Sequence, residues 1–361
     1  MEQEFRNSQQ RLDRDAPQVI EQRRRLGLEG LVGPLAAITI NTEADLMQPA
    51  VAELLRYTGM EVVESFQDDA GPTCVLRTPF RPAWPDVLVH ARRRAVNPFA
   101  PFVGPKSQHL PSTRLETFIF ETSDLEKYVR IQRRQGVEFL SDIVRTSCYL
   151  FIQTMPSRYT GNSIGLIQWL GTPRQYACDA RPIAWPDAKP ATPYLQNIRQ
   201  LDHVATRLTA QDRDDAILEF MALTNYNFSF AYFVDSLNSI TSVARRGKNE
   251  FAMVFTSGIA PYQGPEHSGP TETFVHNYGP RPHHMAFTTE YIEYTVESLR
   301  EAGMKYMVEL VGSKEEGLKQ TFTVPSPNTM LVNEYIWRYG DFDGFFTKSN
   351  VTALTRATID Q

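Results

Sequence analysis

The sequence predicts an α+β protein made of two copies of one mixed module. Three observations carry this. The chain has 361 residues, and at about 150 residues per domain two units fit. It repeats internally, which is the first thing to seek in a sequence. The two copies lie on either side of a proline-rich stretch. A composition of 42% hydrophobic and 22% charged residues is that of a packed globular chain, and it excludes a disordered, collagen-like or coiled-coil protein.

Residues 1–30 read as a charged helical arm anchored by Leu26, Leu28 and Leu31, or as a partly ordered terminus. The first module, 31–175, opens with the strand Leu35–Thr42, followed by an amphipathic helix over Asp45–Thr58 with Leu46, Val51 and Leu54 on one side. Residues 176–199 hold Pro182, Pro186, Pro190 and Pro193. So many prolines oppose both helix and central strand, so this is the connection. The second module, 200–361, opens with Leu201–Leu208 and a helix over Asp214–Thr224 carrying Ile217, Leu218 and Met221.

The modules align without a gap from Phe120 and from Phe287. Each copy reads as a strand end, a helix, a glycine and an apolar strand. Thr122 and Thr289 are placed to cap the helices, and Gly136 and Gly303 stand where a helix end favours positive φ. Late in each copy, Ile164–Gly171 matches Asn333–Gly340.

Net charge is −5, from 37 basic and 42 acidic residues. That is no basic excess for nucleic acid. The clusters Arg23–Arg25 and Arg92–Arg94 read as solvated faces. The richest apolar stretch, Ile217–Val234, is broken by Glu219, Asn225, Asn227 and Ser229, so no membrane span is expected. Cys74, Cys148 and Cys178 are sparse and odd in number. That argues against a disulfide framework and for a reducing, cytoplasmic setting. No signal-peptide pattern is seen at the start. Oligomeric state is left open, a homo-oligomer included.

The two copies differ at three polar positions. The second carries His203 on its opening strand, His284 on its middle strand and Glu334 on its late strand. The first has Ala37, Thr117 and Gly165 there. His203 to His284 and Ala37 to Thr117 span 81 and 80 positions; the next intervals are 50 and 48. Two imidazoles and a carboxylate on one face of a curved sheet can converge on one ion. This donor set suits iron(II) and leaves open positions for substrate and O2; zinc accepts the same donors. His283 is the rival to His284. Strand alternation admits only one of them, and the alignment with Thr117 selects His284. His267 and His276 fall in a Gly/Pro-rich segment and read as loop histidines. For His90 and His109 the sequence alone points to no partner.

At these residues the chain resembles the 4-hydroxyphenylpyruvate dioxygenase-like family of the vicinal-oxygen-chelate superfamily. The motifs are Leu201-Asp-His-Val204, His284-Met-Ala-Phe-Thr-Thr-Glu290, Gln320-Thr-Phe-Thr323, Asn333-Glu-Tyr-Ile-Trp-Arg338 and Gly344-Phe-Phe-Thr-Lys-Ser-Asn350, in the family's order. The resemblance implies tandem βαβββ modules with curved mixed sheets, flanking helices and a C-terminal helix closing the active site. The amphipathic segment Thr347–Ile359 looks like that helix, with Val351, Leu354 and Ala357 on one side. It implies a non-haem Fe(II) dioxygenase that takes an aromatic substrate and O2, decarboxylating a 2-oxo acid and hydroxylating the same molecule. His203, His284 and Glu334 look like the metal ligands and Gln320 like the family's glutamine beside the metal. Phe322 with Phe345 or Phe346 looks like the aromatic clamp, and Ser242 and Asn350 like substrate contacts. The chain departs from the family in a short stretch between His284 and Gln320, in Ser257–Pro261 and Thr271–Tyr278, and at Phe346 and Ser349, where glycines are usual. The metal chemistry therefore transfers further than the substrate. Alternatives are extradiol ring cleavage, with His276 and Tyr278 as acid–base partners, and a non-enzymatic binding protein.

Overall fold

A helix, α1 (Gln10–Leu26), precedes the first sheet in the computed structural model, which describes residues 5–79, 84–93, 96–340, 342, 344–359 and 361. The first half then runs β1 (Val32–Asn41), α2 (Met47–Tyr57), β2 (Glu61–Gln67), β3 (Pro72–Arg77), β4 (Asp86–His90), β5 (Arg114–Thr122), α3 (Leu125–Arg134), β6 (Val144–Arg145), β7 (Tyr149–Gln153), β8 (Ser163–Trp169) and β9 (Arg181–Pro182). The second runs β10 (Ile198–Arg207), α4 (Arg213–Leu223), β11 (Asn227–Val234), β12 (Ser239–Arg245), β13 (Ala252–Ser257), α5 (Gly269–Tyr278), β14 (Arg281–Thr289), α6 (Ile292–Glu301), β15 (Val311–Ser313), β16 (Leu318–Phe322), β17 (Val332–Arg338) and α7 (Lys348–Ala357).

The sheets have the orders β6-β7-β8-β5-β1-β4-β3-β2-β9 and β11-β12-β13-β10-β14-β17-β16-β15. Their registers superpose residue for residue. Ala37 lies opposite Ile119, and Ile119 opposite Gly165. His203 lies opposite Ala286, and Ala286 opposite Glu334. Thr39 faces Thr117 as Ala205 faces His284. The three pairings read from the repeat are therefore the pairings of the fold.

Strand alternation divides each sheet's side chains between two faces. One face of each sheet joins a single large core with the helices, in which Ile38, Phe118, Val204 and Tyr335 are fully buried. The other faces form separate clusters. One holds Ala37, Val75, Leu88 and Ile119, the other Ala205, Val243, Val254 and Ala286. Gly136 (φ +86°) and Gly303 (φ +98°) end α3 and α6 as expected. The caps differ from expectation. Asp124, not Thr122, accepts from the Lys127 amide (2.9 Å), and the Thr289 hydroxyl donates to the Phe287 carbonyl.

Helix α1 packs on α4, and here the reading of Arg23 as solvated fails. Arg23 is buried, and its Nη1 donates to the carbonyls of Met221, Thr224 and Tyr226 at 2.8–3.0 Å. These lie at the C-terminal end of α4, where carbonyls lack helical partners and a cation is favoured. Arg92 is also committed, to buried Glu116; Arg94 lies outside the described residues.

Two further expectations are corrected. Cys148 and Cys178 are joined in a disulfide. Their separation of 30 residues gives no local signal, because curvature of the first sheet brings them together. This bond removes the support that unpaired cysteines gave to a reducing compartment. Second, the segment read as a loop around His276 is helix α5. Pro270 sits in its first turn, where the missing amide is harmless. The connection 176–199 runs along the first sheet, adding β9 to the β2 edge. No described helix is long and apolar enough to cross a membrane.

Candidate metal centre

The three neighbouring strands β10, β14 and β17 carry His203, His284 and Glu334. Adjacent strands lie about 4.8 Å apart, so His203 and Glu334, two strands apart, reach toward each other over Ala286. A methyl group there leaves room above the sheet. His284, two residues before Ala286 on β14, points to the same face. All three side chains are buried, and each offers a ligand atom within 4.8 Å of the others. The Glu334 Oε2 lies 3.1 Å from His203 Nε2 and 3.3 Å from His284 Nε2. Donors bound at about 2.1 Å and at right angles to one another would be about 3.0 Å apart, so this spacing fits one shared ion.

The surroundings hold the donors in place. Asp202 Oδ1 is 2.7 Å from His203 Nδ1, and Arg338 grips Asp202 with both Nη atoms (2.6 and 3.0 Å). Such a carboxylate fixes the tautomer and turns Nε2 toward the site. Burial works against charge on Asp202, but Arg338 and His203 reverse this and hold its carboxyl well below the usual range. Burial likewise opposes charge on His203, yet Glu334 and Asp202 push it up to about 9. His284 is driven well below the usual imidazole value by burial and by His283, His203 and Arg207. His283 turns away: its Nε2 is 2.7 Å from Gln361 Oε1, and its Nδ1 meets His284 Nδ1 at 2.9 Å.

Unfinished hydrogen bonding marks the site as built for a guest. Glu334 Oε1 and both side-chain polar atoms of Gln320 are buried without partners. Buried polar atoms are normally satisfied, so these fit a metal ion and its ligands. His, His and Glu are donors that a divalent transition metal such as iron(II) or zinc accepts.

Gln320 and Phe322, alternate residues of β16, line the cavity with His284, Glu334 and Phe346. The Phe322 ring lies 4.7 Å from that of His284, and the Phe346 ring 5.2 Å from that of His203. Phe345 packs against His203 too, but it faces away from this cavity toward Arg338 (4.6 Å). The aromatic pair is thus Phe322 with Phe346. Ser242, expected at the substrate, is a correction. It faces the helix side of β12 and accepts from Arg213 Nε at 3.1 Å, while Ser239 and Thr241 line the cavity. Asn350 is also displaced from the role expected of it. It is buried against Gly312 of β15, and the next residue, Val351, reaches the cavity instead.

Helix α7 closes the site with Val351 and Leu354. What remains is about 40 Å³, room for a few waters. Arg207, which the sequence comparison passed over, lines it as well. Its Nη2 donates to Thr358 at 2.7 Å, its Nη1 has no partner, and burial pushes its guanidinium down to about 9. Positions 203, 205 and 207 alternate along β10, so its place on the same face as His203 was readable from period two.

No protein-family model and no curated protein matches the sequence. Solved structures do. A mutant of 4-hydroxymandelate synthase from Streptomyces coelicolor is 18% identical, with a TM-score of 0.68 over 91% of this chain and 98% of that one. A xylose isomerase-like TIM barrel/4-hydroxyphenylpyruvate dioxygenase fusion protein is 13% identical, with a TM-score of 0.63 over 94% of this chain and 57% of that one. These likenesses show the fold: two tandem modules, each a mixed sheet with flanking helices.

Proposed function

We propose that this protein is a non-haem Fe(II)-dependent dioxygenase acting on an aryl 2-oxo acid. The carrying observation is the convergence of buried His203, His284 and Glu334 beside unpartnered Gln320. The two structural neighbours, named for chemistry of this kind, support the reading. When bound through these three side chains, iron(II) supplies the one-electron and O2 chemistry that amino acids lack. In the reaction proposed, one oxygen atom of O2 enters the new carboxylate as CO2 leaves, and the other enters the same molecule.

The chain's own residues do the rest. Asp202 and Arg338 keep His203 oriented. Arg207 offers a fixed positive charge to the substrate carboxylate, and this favours an acid. Phe322 and Phe346 flank the aryl ring, where offset contacts are favourable. Gln320 has a donor and an acceptor free for the oxo-acid end. Helix α7 excludes water. With so little space beneath it, α7 has to move to admit substrate.

Protein purified anaerobically and loaded with Fe(II) is expected to consume O2 and release CO2 with at least one of a panel of arylpyruvates. His203→Ala and Glu334→Ala are expected to lose both activities. Unchanged O2 uptake in either variant overturns the proposal. Extradiol cleavage lacks support from the geometry. His276 is exposed on α5 and stacked on Tyr262 at 4.1 Å, and neither it nor Tyr278 lines the cavity.

A further inference from the structure

The first sheet encloses a cavity of about 490 Å³ on the same face that carries the metal centre in the second. Small-molecule sites run from about 300 to 1,000 Å³. The register puts Thr117 where the second half has His284, and Gly165 where it has Glu334. The first half has lost the ion's ligands and kept the hollow.

The hollow is furnished. Phe66, Tyr149, Phe151 and Tyr176 give it aromatic walls. His90 bonds Thr73 across the floor at 3.0 Å, and Gln153 donates to Thr117 at 2.7 Å. Phe151 and Gln153 stand at the positions of Gln320 and Phe322, so amide and aromatic ring have exchanged places.

One wall, residues 174–180, is tied down at every turn. Arg174 pairs with buried Asp86, which also accepts from the Tyr176 hydroxyl at 3.0 Å. Glu64 accepts from the amides of Tyr176 and Ala177 (3.0 and 2.8 Å). Cys178 is bonded to Cys148, and Asp179 accepts from the Ser147 amide and hydroxyl. A surface connection needs no such fastening; a preorganised wall does.

Charge selects the occupant. Among the lining residues, Asp68, Asp69, Glu116 and Asp179 face a single cation, Arg92, which is already paired with Glu116. Burial pushes the Tyr149 hydroxyl up to about 12, with Asp68, Asp179 and Glu64 adding to it. We propose that the first half is a second small-molecule site, taking an arylalkylamine with its ring between the aromatic walls and its ammonium at the Asp68–Asp69 rim. Cation–aromatic attraction supports the same ligand. The acid proposed for the metal centre is repelled here.

Titration calorimetry of the full chain with tyramine tests this. One equivalent is expected to bind, with binding retained in Glu334→Ala. The exposed Asp68→Asn/Asp69→Asn double variant is expected to bind about tenfold more weakly. Ile119→Trp, which fills the hollow, is expected to abolish binding while circular dichroism stays native. 4-Hydroxyphenylpyruvate is not expected to compete with tyramine. No heat at millimolar tyramine overturns the proposal. So does binding that is lost in Glu334→Ala, or binding that both rim and filling variants leave unchanged.

Discussion

Ala286 decides whether the three ligand residues can share an ion. It lies in the row between His203 and Glu334, and the first half has Ile119 there. Ala286→Leu is expected to leave the fold intact and drop bound iron, measured by elemental analysis, to less than about a tenth of stoichiometric. Arg207→Gln is expected to raise the KM for an acidic substrate by about 10- to 100-fold with a smaller change in kcat, the worth of one charged hydrogen bond. An unchanged KM would remove Arg207 from the substrate. The ligand residues were legible because two copies with nearly equal spacing could be compared position by position. Ser242 was misplaced because a loose alignment does not fix parity, and in a strand an error of one residue moves a side chain to the opposite face.

Among elements, α1 is fastened to the end of α4 by Arg23, while Arg11 pairs with Asp215 near its start. Arg23→Met removes the donor to three carbonyls while keeping much of the apolar stem. It is expected to lower stability by about 3 kcal/mol, seen as a lower urea midpoint at unchanged slope. Leu354→Ala in α7 is expected to cost about 2 to 3 kcal/mol and to open the metal centre to solvent. Faster loss of iron to a chelator would report the opening. The strands and helices of the repeat were readable from period and glycine position. Helix α5 was hidden by Gly269 and Pro270, which mark a loop in most contexts and a first helical turn in this one. The Cys148–Cys178 pairing depends on how the first sheet curls, and local sequence does not encode that.

For the molecule as a whole, Glu272 on α5 sets a pH dependence. It is buried and accepts from the Gly258 amide at 2.8 Å. Burial pushes its carboxyl up from 4.5 to about 7, against the backbone amides that favour its charged form. A raised carboxyl stabilises the fold fully below the unfolded value, and that contribution is lost as pH rises through about 7. Unfolding free energy is therefore expected to fall by up to about 3 kcal/mol between pH 4.5 and 8. Glu272→Gln is expected to flatten this profile, and an equally steep variant would refute the assignment. The duplicated architecture was legible in the repeat, whereas the docking of α1 against the second half was not. That docking bears on how the chain is made. Arg23 meets its carbonyl partners some 200 residues later, at separations of 198 to 203. On a ribosome adding about 5 to 20 residues per second, α1 waits about 10 seconds or longer for its seat. During that wait the face of α1 that meets α4 lacks its partner, which makes it a natural place for a chaperone to hold the nascent chain.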